Sequence, residues 1–133
     1  MAPTPELIDA VARTDPDLLD QVAGALAPHH VVTGTYVRLD LTAYADVGDL
    51  EQPLADQFEV GTRTLRRDLG RPVDQRTWVG AGNPTSSALD ALLDNGMDRA
   101  LLRKESVTGP ALPIDEPVAL TGGTGQAVDA VLA

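Results

Sequence analysis

The chain has 133 residues, of which 43% are hydrophobic and 23% charged. That is the length and composition of one globular domain and excludes a chain disordered by composition. Ten basic against twenty acidic residues leave a net charge of -10, which repels nucleic acid and anionic membrane surfaces and sets a nucleic-acid function aside. Cysteine is absent, so a disulfide frame, a thiol nucleophile and a cysteine-rich zinc site are excluded. Only Tyr36, Tyr44, Phe58 and Trp78 are aromatic, so the core has to be built from Leu, Val and Ala.

Residues 4–13 read as a helix, with Thr4 as cap, Pro5 in the first turn and Leu7, Ile8 and Val11 on one face. Thr14 or Asp15 caps a second helix, in which Leu18, Leu19, Val22 and Leu26 recur at helical spacing until Pro28. His30 to Val37 is rich in β-branched residues and predicts a strand. Residues 38–49 lose periodicity and read as a loop of extended character.

From Leu50 to Leu69 the apolar positions 50, 54, 58, 65 and 69 predict a long amphipathic helix, with Gly61 on the same stripe. A mid-helix Gly costs roughly 1 kcal/mol against Ala, and close approach to a sheet is the expected reason for it. Gly70-Arg71-Pro72 stops this helix, and Gln75 to Ala81 reads as a second strand. A helix then runs from Pro84 through Asn95, closed by Gly96, and Arg99 to Arg103 is a third strand. Residues 105–116 read as loop and Val118 to Leu120 as a fourth strand. Gly122 to Gly125 is expected to lead into a last helix over Gln126 to Leu132. The reading is an α/β fold over residues 1–133: a mostly parallel sheet of three to four strands with flanking helices.

Several patterns carry candidate chemistry. His29 and His30 are the only histidines, and neighbours in a strand point to opposite faces, so they are read as an exposed connection rather than as metal ligands. Asp40, Asp46 and Asp49 follow the first strand, where the carboxyl ends of parallel strands carry sites, and carboxylates there can act as acid, base or ligand. The plain alternative is capping and solvation, since Asp supplies fifteen of the twenty acids. Gly82 and Asn83 form the turn after the second strand. Trp78 in that strand is either core packing or a stacking platform for a sugar. Gly122, Gly123 and Gly125 before a helix would let backbone N–H groups approach a phosphate, although the pattern is neither GxGxxG nor a P-loop and also suits a plain turn. Ser86, Ser87 and Ser106 match no nucleophile signature. No pattern requires a cofactor or a metal. No apolar run approaches the ~20 residues of a membrane span, and Met1-Ala2-Pro3 has no signal-peptide character, so direct membrane contact is not expected.

The stretch WVGAGNPTSSALDALLDNGM, Trp78 to Met97, resembles the segment of the polysaccharide deacetylase family in which a strand ends in R-P-P-Y-G and a helix follows. Gly82 falls on the motif's glycine, LDALLDNGM on the helix and Arg99-Ala-Leu-Leu on the next strand. The long helix ending LRRDLGRPV resembles the helix before that motif. TPELIDAVARTDPDLLDQVAGALAPHHVVTGTYV is similar to the helix–strand units of the distorted (β/α)7 barrel of family 57-type glycoside hydrolases. The likeness spans about residues 4–104 and extends to envelope-anchored proteins of high-GC Gram-positive bacteria. It departs at the motif's arginine, which falls on Trp78, and at its two prolines, which fall on Val79 and Gly80. The family's Asp-Asp pair and H-x-x-x-H metal motif are absent, so no metal ligand or catalytic base carries over.

The resemblance implies part of a barrel that in full runs to roughly 200 residues, an extracellular or envelope setting within a parent protein, and open sheet edges that favour self-association. The first functional expectation is a non-catalytic, degenerate carbohydrate-active-enzyme-like domain binding a glycan or an envelope protein through the loops at 38–49 and 80–85. The second is a hydrolase or deacetylase completed by residues outside this chain, with Asp40 and Asp46 as acid or base. The third is a phosphate- or nucleotide-binding module using Gly122 to Gly125.

Overall fold

In a computed structural model of the chain, residues 1–45, 47, 51–80, 82, 84–103 and 116–132 are described. The elements are α1 (Pro5–Thr14), α2 (Pro16–Leu26), α3 (Leu41–Ala45), α4 (Glu51–Leu69), β1 (Thr77–Gly80), α5 (Ser86–Asp94), β2 (Arg99–Leu102), β3 (Val118–Thr121) and β4 (Ala127–Leu132). They fall into two compact units, Met1–Leu39 with Gln52–Gln75, and Asp40–Glu51 with Arg76–Ala133.

The first unit is helical. Pro5 and Pro16 sit at the starts of α1 and α2, where the missing N–H costs nothing, and Asp15 caps α2 by accepting from Leu18 N at 2.9 Å. No glycine ends α2. Instead the Arg71 guanidinium donates to the carbonyl of Leu26, the last residue of α2, and to those of Ala27 (3.2 Å) and His29 (2.9 Å) just beyond it. The core joins Ile8, Leu26, Val31, Leu65, Leu69 and Val73, with Leu19, Val22 and Ala23 packed on it. A fully buried leucine such as Leu65 is worth about 2–3 kcal/mol of transfer free energy.

The predicted strand over 30–37 is reduced to a single parallel bridge between Val32 and Asp74. The backbone beyond it bonds to helices rather than to a neighbouring strand. Tyr36 N donates to Gln57 O (3.0 Å), Val37 N to Gln57 Oε1 (3.3 Å), and Glu6 N to Tyr36 O (3.1 Å). Gly61 lies on this segment: a Cβ there would overlap the Gly34 carbonyl oxygen and come within 3.1 Å of Tyr36 N. Gly61 does make a close approach, but to the extended backbone at Gly34–Tyr36 held by α4 itself and not to a sheet as expected. At the adjoining positions the buried hydroxyls of Thr33 and Thr62 bond at 2.5 Å.

The second unit is a four-stranded mixed sheet in the order β1-β2-β4-β3, mostly parallel: β1, β2 and β4 run together and β3 is antiparallel to β4. The helix expected over Gln126 to Leu132 is strand β4. Val128, Ala130 and Leu132 are buried while Ala127, Asp129 and Val131 are exposed, an alternation only a strand provides. One face of the sheet carries Ala100, Leu102, Val128, Ala130 and Leu132 and is covered by α5, which packs on β3 and β4 through Ala88, Leu89 and Leu92. Thr85 caps α5, and Gly96, at φ 77°, turns the chain out of it. The region expected to be loop over 38–49 contains α3, which packs on α5. The opposite face keeps Val79, Leu101 and Val131 exposed.

Candidate functional site

The three parallel strands end together. Gly80, Leu102 and Leu132 are register partners, so they form one row at the carboxyl edge, on the covered face. In parallel sheets this edge is where ligands bind, because loops and helix termini converge there. Trp78 stands two residues earlier on β1 and faces the same side, in register with Ala100. Its indole leans along the strand over Gly80, since a Cβ at Gly80 would overlap the Cζ3 and Cη2 atoms and meet Leu102 Cδ2 at 3.0 Å. Gly80 is thus the residue that leaves room for the Cζ3 and Cη2 atoms of the indole, and Trp78 is half-buried. Gly82 follows in the β1–α5 connection, exposed, with nothing within 4 Å of where a Cβ would stand. Asn83 lies outside the described residues, as do Asp46, Asp49 and Ser106.

Asp40 is a cap. Its Oδ1 accepts from Thr42 N (3.1 Å) and Ala43 N (3.2 Å), and its carbonyl accepts from Tyr44 N (2.9 Å), which starts α3.

The glycine turn is not followed by a helix, which corrects the geometry expected of Gly122, Gly123 and Gly125. It links β3 to β4 as a hairpin, with Gly122 N donating to Gln126 O (2.9 Å) and Gly125 at φ 82°. Its inward N–H groups are already occupied. Gly123 N (3.0 Å), Thr124 N (3.3 Å) and Thr124 Oγ1 (2.8 Å) all donate to the Asp90 carboxylate on α5. A Cβ at Gly122 would strike Asp90 Oδ1. The turn cradles the carboxylate of a side chain of the same chain. Asp90 gave no signal in the sequence, because the turn it serves lies more than thirty residues away.

A second polar centre belongs to the helical unit. Asp9 accepts from Tyr36 Oη (2.8 Å), Arg67 Nη2 (2.5 Å) and Arg13 Nη2 (2.7 Å). The Tyr36 hydroxyl first, and Arg67 next, hold the Asp9 carboxyl below the usual carboxylate range, while the same bond raises the Tyr36 phenol above its ordinary value. The cluster ties α1, α4 and the segment between them, and its groups are mutually satisfied. His29 and His30 are exposed, and the carbonyl of His30 accepts from the Met1 amino group at 2.5 Å. Among the described residues no three His, Asp or Glu side chains are grouped as metal ligands, and no helix is long and apolar enough to cross a membrane. No protein-family model matches the chain, and no curated protein matches it either.

Proposed function

We propose that this chain is a non-catalytic, carbohydrate-active-enzyme-like domain of a bacterial envelope protein, and that it binds a glycan at the carboxyl edge of its parallel strands. The observation that carries the reading is Trp78: a half-buried indole laid over Gly80 at that edge. A flat aromatic face beside a glycine is the surface on which the apolar face of a pyranose ring stacks. The capping of α3 by Asp40 supports the non-catalytic half of the reading, since it engages the carboxylate that a hydrolase reading would use. The barrel likeness belongs to the same proposal. The β1–α5–β2 unit, with α5 packed on one face of the sheet, favours it, and the antiparallel β3 departs from it.

Trp78 is the only tryptophan, so its emission reports the site directly. Titration with soluble N-acetylglucosamine oligomers is expected to shift the emission saturably. Trp78→Ala is expected to weaken retention on an immobilised glycan by about tenfold, the worth of one aromatic stack. Trp78→Phe keeps the packing and part of the stacking. An emission spectrum indifferent to oligosaccharides at about 10 mM, well above the ~1 mM typical of weak binding, would remove the reading.

A further inference from the structure

On the face of the sheet turned away from α5, Thr77 is buried, but the row nearest the carboxyl edge is exposed. Leu101 and Val131 sit on its two central strands, β2 and β4, and each keeps 37% of its surface exposed; Val79 on β1 keeps 42%. These three residues are register partners in one row, Val79↔Leu101↔Val131. A central-strand residue has neighbours on both sides, so exposure this high leaves the row uncovered among the described residues. Parallel strands are ordinarily covered on both faces, so this row is an apolar surface whose burial would release water.

The register also says what fits there. In the next row on the same face Arg99 is the partner of Asp129, as Leu101 is of Val131. A two-fold axis running along the strands, midway between β2 and β4, turns the face onto itself. It sets Leu101 over the second copy's Val131 and Arg99 over the second copy's Asp129, and the reciprocal pairs form by symmetry. The chain as a whole carries -10 and repels its own copy, yet the strand residues on this face include one arginine and one aspartate, which balance. Arg99 also lies 3.8 Å from Asp98, a pairing at the rim that the arrangement leaves in place.

We propose that this open face is a self-complementary surface on which a second copy of the chain packs, sheet on sheet. Strands aligned in this way are the usual geometry of stacked sheets, about 10 Å apart. With strands ~4.8 Å apart and ~3.3 Å per residue, a patch four strands wide and four residues long covers about 250 Å². Stable interfaces bury ~800 Å² per partner, so the dimer is weak and forms in the high-micromolar range. The proposal is independent of the glycan reading, which uses the other face.

Sedimentation velocity on the full chain from about 10 µM to about 1 mM, the range in which so small a patch would act, tests it. The expected result is a concentration-dependent rise from monomer to dimer mass. Leu101→Asp is expected to stay monomeric throughout with an unchanged far-ultraviolet dichroism spectrum, and the isosteric Val131→Thr to weaken the dimer if the first variant misfolds. Arg99→Asp and Asp129→Arg alone each set like charges face to face and weaken association about fivefold or more; together they restore it to within about twofold, because the axis exchanges the two positions. A wild-type monomer at the highest concentration overturns the proposal. So does a dimer indifferent to these substitutions, or a double reversal no better than its parts.

Discussion

The two units of this chain reach order by different routes. In the helical unit many long-range ties are polar and individually placed: Arg71 on three carbonyls, Asp9 on Tyr36 and Arg67, Thr33 on Thr62, and the Tyr36 backbone bonded to α4. In the sheet unit the ties are repetitive, a ladder of paired strands over an aliphatic face, with one specific clasp from Asp90 to the hairpin turn. A repetitive arrangement distributes its stability, whereas an arrangement of placed contacts concentrates it. Single substitutions should therefore cost most where the helical unit allows no movement.

The largest effect is expected at Gly61. Gly61→Ala drives a methyl into the Gly34 carbonyl, and backbone cannot swing aside as a side chain can. We expect a loss of about 3 kcal/mol or more by urea denaturation, despite the better helix propensity of alanine. A neutral or stabilising result would mean that the segment is not held by α4. In the sheet unit Asp90→Ala frees three donors at a partly solvated turn, so water replaces much of what is lost. The expected cost is about 1–2 kcal/mol, with Gly123 and Thr124 amides gaining hydrogen exchange. A cost as large as that of Gly61→Ala would erase the contrast between the units.

The smallest effect is in pH dependence. Asp9 has a lowered pKa in the folded chain, so its contribution is present above the ordinary carboxylate value near 4 and is lost as pH falls through the lower folded value. Asp9→Asn should leave a protein less stable at neutral pH and less sensitive to acid below about pH 4. Thermal melts between pH 7 and pH 2.5, which bracket the ordinary carboxylate value of about 3.9, check this; parallel curves for the two proteins would show that the cluster contributes nothing.

Most elements were legible from local pattern. The helices α1, α2, α4 and α5 carry apolar stripes and recognisable ends, and β1, β2 and β3 lie where β-branched and apolar runs place them. Two segments misled for opposite reasons. Residues 30–37 have strand composition, yet their backbone partners are Gln57 and Glu6, which no local pattern announces. Residues 127–132 hold a period of two in Val128, Ala130 and Leu132, but alanine at 127 and 130 blurs it, and the preceding glycines suit a helix start as well as a hairpin. α3 is only five residues long, too short for periodicity, and only the Asp40 cap marks it. Trp78 could be placed on its strand; that its ring lies on Gly80 at the carboxyl edge needs the side-chain geometry. The open face had a sequence trace in the outward Val79, Leu101 and Val131, but consecutive apolar residues such as Leu101 and Leu102 read equally as a strand covered on both sides.

The strand order has a consequence for synthesis. β4 is the last of the four strands in sequence, yet it lies between β2 and β3. As the chain leaves the ribosome, β1 and β2 can pair across α5, but the inner edge of β2 stays unpaired through the next twenty-four residues, from 103 to 126, until β4 is released. The sheet therefore cannot zip up in the order in which it is made, and the nascent chain carries an unpaired β2 edge for as long as that takes.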